Sequence, residues 1–271
     1  MESNDTHFQS PPPSYHDAIQ VECSNVPLQP TSLLLEGQSI RDELSRACLY
    51  QLSRTVTALP RITPKNSSVI FERVEYEAPA RSETSKNHEA QPKHRHLFYL
   101  AHPADAQYRS DIPAYYITSM DAETLGNIHF ETSKPRLQKT EFRALLSAHR
   151  TASHKPLFDE ARKLTILFDA RPMNWVSSRY SWTDGNGHQV AFEEGKGEHE
   201  QHKLVITHPM AQETRDALVA LWVLRLWYET AESKQAKREE LERMMPPASY
   251  QDLKLGKRVG ALGALGGAGG G

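Results

Sequence analysis

The chain has 271 residues, with 32 Lys+Arg against 34 Asp+Glu. A formal net charge of −2 excludes the basic balance of a protein built mainly to hold nucleic acid, because neutralising phosphates takes a Lys/Arg-rich surface. Two cysteines, Cys23 and Cys48, one of them in a Pro/Ser/Asn-rich stretch, predict a reduced, intracellular protein. The first 30 residues show no basic start followed by an apolar run, so no secretory signal is expected. No run of about 18 apolar residues predicts a transmembrane helix.

Residues 1–44 hold five prolines among many Ser, Asn, Asp and Gln. Such a segment buries too little apolar surface to offset ordering entropy and is predicted to be a disordered tail. Within it, "PPSY" at 12–15 is a full PPxY motif. Pro12 and Pro13 pre-form a polyproline II turn, which loses little entropy on binding and stacks on the aromatic groove of a WW domain. Tyr15 fills a second pocket. "SLLLE" (32–36) is the one apolar run here, and it is a candidate first strand.

From Ala47 the texture changes. Ten short runs follow, from "CLYQLSRTVTAL" through "SSVIFERVEY", "HLFYLA" and "EFRALLSA" to "HKLVITH". Each alternates or is rich in β-branched and aromatic residues. Turn residues separate them, above all "DGNG" at 184–187, where the glycines supply positive φ for a hairpin. Ten strands with frequent turns predict an antiparallel sandwich or barrel over 45–230. The polar stretch 79–95 is too long for a tight hairpin and is expected to be a loop. Then "DALVALWVLRLWYE" (216–229) carries eleven apolar residues among the twelve from Ala217 to Tyr228, with Arg225 the interruption. A helix apolar all round is buried on every side. Twelve residues rise only about 18 Å, too little for a bilayer core of about 30 Å. The expectation is a helix threaded through the barrel of the preceding strands, with Arg225 either paired in the interior or at a mouth.

Residues 231–271 begin with a charged helical extension, "SKQAKREELERMM", stopped by Pro246 and Pro247. A Gly/Ala-rich, low-complexity tail follows. "PPASY" at 246–250 echoes the N-terminal tag, but Pro247 stands three places before Tyr250 rather than two. With Pro247 and Tyr250 it is a candidate second, weaker docking segment that would add avidity.

Many short strands around one very apolar helix near the C-terminal side resemble the tubby C-terminal-like superfamily, which includes tubby proteins, phospholipid scramblases and the plant LURP-one-related proteins. "NWVSSRYSWTDGNGHQVAFEE" (174–194) is similar to that family's Trp-containing hairpin, and "ALVALWVLRLWYE" (217–229) to its central helix. The chain looks most like filamentous-fungal members with a Pro-rich tyrosine motif in front. The resemblance covers about 45–230 and implies a closed barrel of about twelve strands, with "SLLLE" and a further strand near 80–95 completing the count. The cysteine-rich run and acidic calcium segment of scramblases are not found here. The resemblance also implies a peripheral phosphoinositide- or phospholipid-binding module.

No catalytic constellation stands out. His199 and His202 in "GEHEQHK" are three apart in a Gly-rich loop, not at the i, i+4 spacing of a helical zinc pair. "DGNG" has too few carboxylates for calcium. "GKG" lacks a phosphate-loop frame, and no G-x-S-x-G elbow exists. No cofactor, metal or enzymatic activity is expected. Trp175, Trp182, Trp222 and Trp227 are expected to fill the core. The sequence predicts a non-enzymatic adaptor whose barrel is a scaffold and whose PPxY motif recruits a WW-domain protein, a WW-bearing ubiquitin ligase being the commonest kind. The alternative is the lipid-binding module, with Lys93, Arg95, Lys134, Arg136 and Lys139 as candidate headgroup contacts.

Overall fold

The computed structural model describes residues 27–58, 66–76, 92–103, 113–134, 139–147, 164–173, 179–195 and 201–231. Both tyrosine tags, residues 1–26 and 232–271 of the two expected tails, residues 79–91 of the expected loop, Trp175, Arg136 and His199 lie outside these residues.

Twelve strands run in chain order: β1 (Thr31–Glu36), β2 (Ser39–Asp42), β3 (Cys48–Leu52), β4 (Asn66–Tyr76), β5 (Pro92–Pro103), β6 (Tyr116–Ser119), β7 (Asn127–Ser133), β8 (Glu141–Ser147), β9 (Thr165–Pro172), β10 (Tyr180–Asp184), β11 (Gln189–Glu194) and β12 (His202–Ile206). One helix, α1 (Gln212–Ala231), follows them. Each strand pairs antiparallel with its chain neighbours. β1 then closes on β12, Thr31 opposite Ile206 and Leu35 opposite His202. Closure removes the unpaired edges that an open sheet would present.

Two sequence expectations are corrected. The barrel starts at Thr31, inside the segment 1–44 that was expected to be a tail, because the ring closes only when a first strand meets β12. Leu33 and Leu35 of that strand belong to the core. The strand that completes the count of twelve lies before β3, while 92–95 of the expected loop belong to β5 and 80–91 lie outside the described residues. That strand is β2, "SIRD", reached from β1 through Gly37 at φ 63°, which starts a two-residue hairpin turn.

The strand faces follow the pleat except where a bulge intervenes. Phe71 lies opposite Phe98 and Glu72 opposite His96, so Leu97 is the extra residue on β5. Leu97 and Phe98 are consecutive yet both buried. The "DGNG" hairpin forms as expected. Asp184 accepts from the backbone N–H of Asn186 (2.9 Å) and His188 (2.8 Å), and Gly187 takes φ 86°. Gly185 passes so close to β9 that an added Cβ would sit 2.6 Å from the Ile166 carbonyl oxygen. Gly185→Ala is expected to cost about 1–3 kcal/mol, the usual cost of overpacking against backbone. A urea midpoint equal to the parent's would contradict that contact.

The helix fills the ring. Every residue from Ala217 to Leu224 is 0 % exposed. This explains a helix with no polar stripe, since its whole circumference meets strand side chains. The helix begins beside a short bridge in which Leu28 and Met210 exchange backbone hydrogen bonds of 2.8 and 3.2 Å. At its other end, Trp227 meets His102 edge-on at 5.9 Å and Tyr228 meets Phe142 at 5.0 Å. These two ends of the barrel are termed the proximal and distal mouths. Twenty residues of helix separate them, about 30 Å at 1.5 Å per residue.

Candidate functional site

The four candidate lipid contacts among the described residues, Lys93, Arg95, Lys134 and Lys139, do not form one patch. Leu100, Ile117 and Ile128 share one level across β5, β6 and β7. At roughly 3.3 Å per residue, Lys93 lies about 23 Å to one side of this level and Lys134 about 20 Å to the other. Lys93 and Arg95 therefore belong to the proximal side, and Lys134 and Lys139 to the distal side. Lys93 and Lys134 are exposed, and Lys139 is half-buried. Arg95 is committed elsewhere. Its guanidinium donates to Asp121 at 2.5 and 2.9 Å and meets Glu123 at 2.6 Å. Its hydrogen bonds hold the Asp121 carboxyl below the usual carboxylate range.

The polar groups brought together in the interior were not candidates from sequence. At the proximal mouth Asp216 is buried and accepts from Tyr50 (2.8 Å), Gln212 (2.6 Å) and Arg73 (2.7 Å). Burial raises Asp216 above its ordinary value although Arg73 and Tyr50 pull it down. Arg73 also meets Glu75 at 2.7 Å, which continues the ladder toward Arg95.

Deeper along the helix, Arg225 is 1 % exposed and reaches Glu193 of β11 at 2.5 Å. Its other arm meets Glu229 at 3.0 Å, and its guanidinium lies over the Tyr180 ring at 4.5 Å. Both expectations for Arg225, an interior partner and nearness to a mouth, are thus met at once. Glu193 also accepts from the Trp182 indole N–H at 3.0 Å. Burial pushes Glu193 up to about 7 against the pull of Arg225 and Trp182. Burial alone would lower Arg225, but Glu193 and Glu229 overcome it.

Near the distal mouth Arg54 lies over the Trp227 ring at 4.6 Å. Trp182, Trp222 and Trp227 are all buried, as core-filling residues. A depression of about 170 Å³ on β7–β9 is lined by Glu131, Glu141, Arg143, Asp169 and Arg171, among others. Its Arg143 is already paired with Asp169 at 2.9 Å. Among the described residues no three His, Cys, Asp or Glu side chains converge as metal ligands. His202 is half-buried, and burial lowers its pKa. Among the same residues no helix is long and apolar enough to cross a membrane.

Comparison with protein-family models, curated proteins and solved structures finds no match to this chain. The tubby-like reading rests on the motifs quoted above.

Proposed function

We propose that the protein is a non-enzymatic adaptor in which the barrel is a rigid spacer and "PPSY" recruits a WW-domain protein, such as a WW-bearing ubiquitin ligase. The observation that supports this reading is where the two tagged segments attach. The N-terminal one joins at the proximal mouth, through Leu28 and Met210, and the C-terminal one leaves at the distal mouth after Ala231. Tyr15 precedes Pro27 by twelve positions and Pro247 follows Ala231 by sixteen. At about 3.5 Å per extended residue the N-terminal tether reaches roughly 40 Å, and sixteen residues in the helical form expected after Ala231 rise about 24 Å, together enough to span a barrel about 30 Å long. The lipid-binding alternative gains nothing comparable, since its four described basic candidates divide between two ends and Arg95 is neutralised.

Titration of the full chain against a tandem WW domain tests the proposal. The parent should bind more tightly than either isolated peptide by roughly 10²-fold, because the second contact is intramolecular. Tyr15→Ala should remove most binding, because Pro12, Pro13 and Tyr15 alone have the PPxY spacing. Tyr250→Ala should lose only the avidity increment. Unchanged binding by Tyr15→Ala overturns the adaptor reading. Unchanged binding by Tyr250→Ala reduces "PPASY" to a helix stop.

A further inference from the structure

We draw no further inference here: the strongest candidate, the exposed apolar side chains Leu44, Tyr76 and Met120 on the rim of the proximal mouth, carries nothing because nothing in the structure shows what covers them.

Discussion

Trp222→Asp is expected to abolish cooperative folding. Trp222 is fully buried in the middle of α1, with Leu221 and Val223 equally enclosed beside it. A carboxylate placed there cannot reach water from any rotamer, because the helix is surrounded by strands on every side. An ionised, unpaired carboxylate in such a place costs more than a typical stability of about 5–15 kcal/mol, and a protonated one still costs several. Urea titration should show no cooperative transition, and the protein should be largely insoluble. Trp222→Phe is the control. The indole N–H of Trp222 has no partner, so the phenyl ring removes an unsatisfied donor and the fold should survive. A soluble Trp222→Asp protein with a sharp melt would place the helix on the surface.

Arg225→Met should destabilise the fold by up to about 3–5 kcal/mol at alkaline pH, the usual cost of removing one partner from a buried pair. The loss arises in Glu193, left with the Trp182 N–H but no cation. Its carboxyl, already at about 7 against an ordinary value of 4.5, rises further once Arg225 is gone. The folded state then binds this proton more tightly than the unfolded state does. Stability contributed by the group is therefore lost as pH rises from the unfolded value through the folded one. The deficit relative to the parent that comes from this group should be small near pH 5, begin to appear above about 7, and grow by up to about 1.4 kcal/mol per pH unit beyond that, so that it is larger at pH 8. Adding Glu193→Gln keeps an acceptor for Trp182, removes the charge and should restore most of the loss. Urea midpoints of parent, single and double variants at both pH values measure this. A deficit that ignores pH would show that Glu193 is not its source.

Much of the architecture is legible in the residues. The unbroken apolar run from Ala217 to Leu224 announces a helix enclosed on all sides, and "DGNG" announces a hairpin because glycine tolerates the backbone that turn needs. β2 is not legible in the same way. Four residues with a single buried apolar side chain, Ile40, carry almost no periodic signal, and the strand exists because β1 and β3 pair with it. The basic candidates show a different limit. Proximity in sequence groups Lys93 with Arg95 and Lys134 with Lys139, but only the strand register reveals that the pairs face opposite mouths. Glu193 is harder still. In "QVAFEE" alternation alone would send Val190 and Phe192 inward as one set. The barrel instead encloses Ala191 and Glu193 on the helix-facing side, where a carboxylate answers Arg225. Arg225, the lone charge in the apolar run from Ala217 to Tyr228, is the available signal that such a partner exists, but it does not say on which strand.

The position of the helix after all twelve strands has a consequence for synthesis. β1 is made first yet needs β12 as a neighbour, and the element that fills the interior comes last. Roughly 200 positions separate the start of β1 from the end of α1, so at about 5–20 residues per second the nascent wall waits roughly 10–40 s for its contents. During that interval an incomplete sheet exposes both an apolar inner face and unpaired edges, the features that recruit chaperones or drive association between growing chains. A wall that closed early would shut the helix out.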